Sequence, residues 1–174
     1  MLLTLDNDKI FINNIILCEP INNTVIENSK FIRLIYSDNN IIMNGIYIKV
    51  SMIINNIEHA YNKLRCNICH NENKIILNTL NNIEKHILNK YNSSKKPSYK
   101  LTECLNKGII KIFTENYVKT NYRNILNDAN SNHKKNLNIS KSINQTVKYD
   151  IILKISGIWV DNREFGLTYK FITI

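Results

Sequence analysis

The sequence predicts an α+β domain in which strands come first, a helical pair follows, and strands return to finish in a C-terminal β-hairpin. Three observations carry this. Residues 45 to 53 alternate, with Ile46, Ile48, Val50 and Met52 on one side and Tyr47, Lys49 and Ser51 on the other. Residues 53 to 91 space their apolar side chains by three and four. From Val147 the alternation returns and continues past a turn to the end of the sequence.

Taken in order, residues 9 to 17 and 30 to 36 are short runs rich in Ile and Phe, divided by a turn signal at Pro20, Asn22 and Asn23, and read as strands. The alternating 45 to 53 stretch is a third. Helical spacing then links Ile53, Ile57, Ala60, Tyr61, Leu64 and Ile68, and again Ile76, Leu80, Ile83, Ile87 and Tyr91. Two helices joined near Asn71 are expected. The polar break NSSKKPS at 92 to 98 closes them, and a strand at 109 to 113 follows Gly108. Between Phe113 and Val147 lie about thirty polar residues, helical at most around Tyr117 to Leu126, and the part from 128 to 146 is expected to be mobile.

The last segment, ISGIWVDNREFGLTYKF, holds the only Trp and two of the four Gly. Odd positions from Val147 to Trp159 are apolar or small, and odd positions from Phe165 to Phe171 are apolar again. Both strands bury the same face, so opposite residue numbers sum to an even number, which favours a three-residue loop of Asp161, Asn162 and Arg163. Trp159 then faces Phe165, Gly157 faces Leu167 and Ile155 faces Tyr169 on the core side, with Gly157 leaving room for large neighbours. On the outer side Lys154 stands opposite Lys170 and Ser156 opposite Thr168.

At 174 residues the chain has the size of one domain spanning residues 1 to 174. MLLTLDNDKI has no basic leader, and no apolar run approaches the ~18 residues of a membrane-spanning helix. An intracellular protein with no membrane partner is expected, its four Cys as thiols. CNICH at 66 to 70 has the C-x-x-C-H spacing of haem attachment, which needs export, and offers too few ligands for a closed zinc site. No metal and no cofactor are expected. Cys66→Ser should accordingly leave folding nearly unchanged.

Asn and Ile make up roughly a third of the residues, and 19 Lys stand against 4 Arg, a bias toward A/T-rich codons. The position of the charge is more informative than its total of +9. From Lys85 to Lys148 there are 13 Lys and Arg against three acids, a net of +10, which leaves −1 for the rest. A concentrated basic stretch without an amphipathic or lipidation signal points to a polyanion, nucleic acid before membrane. Like charges directly across a strand pair are destabilising, so Lys154 and Lys170 call for a bound anion. Two ammonium groups beside two hydroxyls suit a phosphate backbone.

The same residues carry a resemblance. ILKISGIWVDNREFGLTYKF resembles the closing hairpin of the single-stranded DNA-binding proteins of large nucleocytoplasmic DNA viruses, through Gly157, Ile158, Trp159, Phe165, Gly166, Tyr169 and Lys170. KPSYKLTECLNKGIIKIF, at 96 to 113, is similar to viral sequence preceding such a hairpin. The likeness covers about a third of the chain. It implies an OB-like small β-barrel with one face for single strands, a viral protein acting in genome replication, repair or recombination, and a place in the host cytoplasm or nucleus. Proteins of this type often end in an acidic tail that recruits partners, whereas Phe171 to Ile174 include no acid.

The expectation is therefore a non-enzymatic protein binding single-stranded DNA by backbone electrostatics and base stacking. Backbone contacts are assigned to Lys49, Lys100, Lys111, Lys154 and Lys170, and stacking to Tyr47 and Tyr99. Replication proteins or further copies of the chain are the protein partners this implies. The alternative is a virion or assembly protein with a basic interaction surface. No Gly-rich phosphate loop, paired-carboxylate motif or nucleophile signature stands out for an enzyme.

Overall fold

A computed structural model describes residues 3–4, 12–24, 26–39, 41–60, 63–113 and 146–173. Of the stretch at 128 to 146 expected to be mobile, all but Thr146 lies outside the described residues, as does the helix expected around Tyr117 to Leu126. Among the described residues eleven strands and two principal helices follow one another as β1 (Leu3–Thr4), β2 (Ile15–Leu17), β3 (Ile21–Asn22), β4 (Lys30–Ser37), β5 (Ile42–Asn44), β6 (Ile46–Ala60), β7 (Lys63–Ile68), α1 (His70–Lys90), β8 (Lys96–Ser98), α2 (Lys100–Asn106), β9 (Ile109–Phe113), β10 (Val147–Val160) and β11 (Glu164–Thr173).

Five of these strands close on themselves. β6 pairs with β7, β7 with β9, β9 with β11, β11 with β10, and β10 returns to β6, with only β9 and β11 parallel. Closure with one parallel pair among antiparallel neighbours is the small barrel of an OB-like fold, and it removes the open edges that a flat sheet would expose. Its interior is filled from every wall, by Ile48, Val50 and Met52 of β6, Leu64 and Cys66 of β7, Ile110 and Ile112 of β9, Ile151 and Leu153 of β10, and Leu167 and Phe171 of β11. Beyond Ile155, β10 leaves β6 and pairs instead with β4, which carries β2, β3 and β5 as a flap. Gly45 makes that corner possible. Its φ is +83°, and a Cβ there would lie 2.7 Å from the Ile155 carbonyl oxygen.

The segment from 53 to 68 is a correction: it forms the end of β6 and all of β7, not a helix. Lys63, Arg65 and Asn67 are exposed while Leu64, Cys66 and Ile68 are buried, an alternation of period two. A bulge between Ile54 and Asn56 shifts the parity within β6, so that buried Ile54 is followed by buried Ile57 at a helix-like interval of three. The helical pair is α1 and α2. The 76 to 91 helix starts earlier, at His70, and Tyr91 is its C-cap.

Two buried polar side chains fasten these helices. Asn73 donates from Nδ2 to the carbonyls of Ile53 and Cys69, at 2.8 Å each, and its Oδ1 accepts from the Ile53 amide at 2.9 Å. It substitutes for a neighbouring strand where β6 bulges. The Glu84 carboxylate, fully buried, accepts from the amides of Leu101 at 3.0 Å and Thr102 at 2.7 Å. Those amides are unpaired donors of the first turn of α2, whose N-cap, Tyr99, supplies no side-chain bond of its own. These bonds tie α2 to α1, and α2 also packs against β9 and β11.

The C-terminal hairpin forms, with Asp161 to Arg163 between its strands, but the turn does not have the expected even-sum pairing: Val160 pairs with Phe165, and the Asp161 amide donates to the Glu164 carbonyl at 3.0 Å. Asp161 organises it, its carboxylate accepting from the Arg163 amide at 2.7 Å and the Glu164 amide at 2.8 Å, and these bonds hold its carboxyl below the usual range. Lys154 stands opposite Lys170 and Ile155 opposite Tyr169. The upper half is a correction. A bulge at Ser156 slips the register by one, so Gly157 faces Thr168, Ile158 faces Leu167, Trp159 faces Gly166 and Val160 faces Phe165. Ile158 and Val160 take the inward positions, and Trp159 is turned out of the core and half-buried.

The CNICH segment spans the β7–α1 junction. Cys66 faces the barrel interior, where burial pushes its thiol up to about 12, whereas Cys69 is the α1 N-cap and His70 is exposed. The three side chains do not converge.

Candidate nucleic-acid interface

Alternation dictates what stands outside the barrel. With the even residues of β6 buried, Tyr47, Lys49 and Ser51 point outward, and on β10 and β11 the outward positions are Lys148, Asp150, Ile152 and Lys154, and Thr168, Lys170 and Ile172. On β7 and β9 they are Lys63, Arg65 and Asn67, and Ile109, Lys111 and Phe113.

Strand register sorts these side chains into rows that cross the strands. Tyr47 pairs with Lys154, and Lys154 with Lys170. β11 and β9 run parallel with Phe171 beside Ile112, and the same register continued back by one residue sets Lys111 next to Lys170. Lys111 pairs in turn with Arg65. One outward residue from each of five strands thus forms a continuous row, Tyr47, Lys154, Lys170, Lys111 and Arg65, four of them cations. At strand spacings of about 4.8 Å the row covers roughly 19 Å of barrel wall.

The adjacent row differs in character. Lys49 pairs with Ile152, Ile152 with Ile172, Ile172 with Phe113, and Phe113 with Lys63. Three apolar side chains, all at least partly exposed, are bracketed by two lysines. Lys63 Nζ lies 4.7 Å from the centre of the Phe113 ring, and in the cation row Lys154 Nζ lies 4.9 Å from that of Tyr47. Two residues along a strand separate the rows, about 7 Å.

Acidic groups limit the field at its margins. Asp150 accepts a hydrogen bond from Ser51 and forms an ion pair with Lys49 at 2.9 Å, and these contacts, the Ser51 bond first, hold its carboxyl below the usual range. Glu58 stands opposite Arg65 at the far end. Among the described residues, Lys154, Lys170, Lys111 and Arg65 form no ion pair.

The structure brings Tyr47, Lys49, Lys154, Lys170 and Lys111 onto this one surface. Tyr99 and Lys100 lie elsewhere. Tyr99 caps α2 and packs against the core, and Lys100 pairs with Glu103 at 3.5 Å while its carbonyl accepts from the Tyr169 hydroxyl at 3.1 Å. A cleft of about 360 Å³ lined by Lys100, Lys107, Lys111 and Tyr169 joins this corner to the cation row. The pKa of the Tyr169 phenol that lines it is raised by burial and then by neighbouring Cys104. Reading the sequence missed Arg65, Phe113, Ile152 and Ile172. The signal for Arg65 was present in the alternation of KLRCNI.

No family model, curated protein or solved structure matches this chain.

Proposed function

We propose that the chain binds single-stranded nucleic acid laid across the barrel strands, with phosphates along Lys154, Lys170, Lys111 and Arg65 and bases over Ile152, Ile172 and Phe113. The observation that carries this reading is the pair of rows, cationic and apolar, running side by side on one outward surface. A single strand has the same two-sided chemistry, a charged backbone and unstacked bases with apolar faces. A duplex offers its phosphates but keeps its bases stacked inside, so it could use only the first row. Strands two and three of the closed barrel, β7 and β9, contribute Arg65, Lys111 and Phe113, and this is a face on which OB-folds hold oligonucleotides. The likeness of the hairpin to viral single-stranded DNA-binding proteins supports a role in replication, repair or recombination of a viral genome, with binding and no chemical step as the activity.

The test is competition. A labelled oligothymidylate bound to the protein should be displaced by unlabelled single strands at much lower concentration than by duplex of equal length. Equal competition would favour a basic assembly protein with no strand preference. Four backbone cations predict a slope of log affinity against log salt near −2.8.

A further inference from the structure

Beyond the cation row, on the side away from Ile152 and Ile172, the same sheet surface carries two aromatic rings. Register sets Phe31 beside Trp159 and Trp159 beside Gly166, and one step nearer the cations it sets Arg33 beside Gly157 and Gly157 beside Thr168. Neither glycine has room for a side chain. A Cβ on Gly157 would come within 2.4 Å of Phe31 Cζ, and one on Gly166 within 2.8 Å of Trp159 Cζ2. Each ring therefore lies over the bare backbone of a neighbouring strand, and each is half-buried.

Packing of the interior does not use these rings, because Ile32, Ile158, Val160 and Phe165 fill the core at this level. Among the described residues neither ring stacks on another aromatic, the indole N–H donates to no group, and exposed Arg33 forms no ion pair. The pattern of the barrel wall is repeated here, apolar rings in one row with a cation in the next.

We infer that Phe31 and Trp159 form a second base-stacking platform, occupied by the same single strand after it leaves the cation row, with Arg33 holding the phosphate between. This rests on the proposed function. The occupant is identified by continuity: Gly166, beneath the indole, is four residues from Lys170 on one strand of one surface, about 13 Å. A strand that covers only the cation row stops short of the indole, and a longer one reaches it.

Trp159 is the only Trp in the chain, so fluorescence excited selectively at tryptophan, on the red side of tyrosine absorption, reports this position alone. Unlabelled oligothymidylates of about 5 and about 15 nucleotides, within the span that single OB-folds cover, would be titrated while labelled copies follow binding by anisotropy. Both lengths should bind, and only the longer should quench Trp159. Phe31→Leu should weaken the longer at least about fivefold and leave the shorter unchanged, since one stacking contact is lost. Equal quenching by both lengths, or saturated binding of the longer with no quenching, overturns the platform while leaving the proposed function standing. An emission shift on raising protein concentration without nucleic acid would place a second copy on the rings and also overturn it. Failure of both lengths to bind by anisotropy defeats the proposed function and the platform together.

Discussion

Replacing Lys154 and Lys170 together by Gln removes two adjacent cations from the centre of the row and should weaken single-strand binding in a salt-dependent way. Each phosphate contact on a single strand contributes about 0.7 to the slope of log affinity against log salt, so two contacts make the variant shallower by about 1.4. Referred to 1 M salt, where counterion release contributes nothing, that slope corresponds to roughly a tenfold loss of affinity at 0.15 M. Stability should hardly move, because two small effects oppose. Relief of a like-charge cross-strand pair gains a few tenths of a kcal/mol, and loss of the Lys154 contact with the Tyr47 ring costs about 0.5 kcal/mol at an exposed site. A labelled oligothymidylate titrated at several salt concentrations gives the slope, and urea unfolding gives the stability. The control is Lys74→Gln with Lys85→Gln, exposed positions on α1 outside both rows that remove the same charge. Equal loss of affinity and equal change of slope in the two double variants would mean that only net charge matters, and the row would not be a site.

Three further outcomes follow from the same geometry. Asp150→Asn should strengthen single-strand binding severalfold and steepen the salt slope by about 0.7, because Lys49 loses its ion pair and is released for a phosphate. Asp150 has a lowered pKa in the fold, so its ion pair persists until the pH falls below the ordinary carboxylate range, and only there should wild-type affinity approach that of the variant in pH-dependent titrations. Cys66→Ser should destabilise the barrel by about 1 to 3 kcal/mol in urea unfolding, against the sequence-based expectation of no effect, since it puts a hydroxyl without a partner into a fully buried position. In the folded wild type the same thiol should resist alkylation at pH 8. Glu84→Gln should cost about 2 kcal/mol and speed hydrogen exchange at the Leu101 and Thr102 amides, because one of two charge-assisted acceptors at the start of α2 becomes a donor.

What could be read from the sequence was whatever strict periodicity encodes. The alternation of β6 up to Met52 and of β10 up to Ile155 assigned the outward positions of Tyr47, Lys49 and Lys154, and the parity argument for the hairpin set Lys154 opposite Lys170, while the bulge at Ser156 removed that parity from the turn. Closure of the barrel, by contrast, depends on pairings between segments far apart in sequence, such as β9 with β11, which leave no local trace. In the sequence Lys111 is marked only by its charge. Only the fold sets it beside Lys170 on one side and Arg65 on the other.

The two misreadings in the barrel have one physical origin. Each falls at a β-bulge, where an extra residue exchanges the inward and outward positions of everything downstream. In β6 the bulge after Ile54 turned a strand into an apparent helix and hid Arg65 with it. In β10 the bulge at Ser156 moved Trp159 from the expected core to the outer surface. The second slip also has a structural consequence. Without it Gly157 and Trp159 would point into a core already filled by Phe165 and Leu167, and Ile158 and Val160 would face water. With it, two branched residues enter the core, and Trp159 joins Lys154 and Lys170 on a single outward surface. The glycines then make sense as neighbours of large rings outside the barrel, Gly157 beneath Phe31 and Gly166 beneath Trp159. The composition of ISGIWVDNREFGLTYKF is thus explained by a strand, β10, that changes faces halfway along against a partner that does not, and the bulge that obscures this in the sequence is what builds the surface.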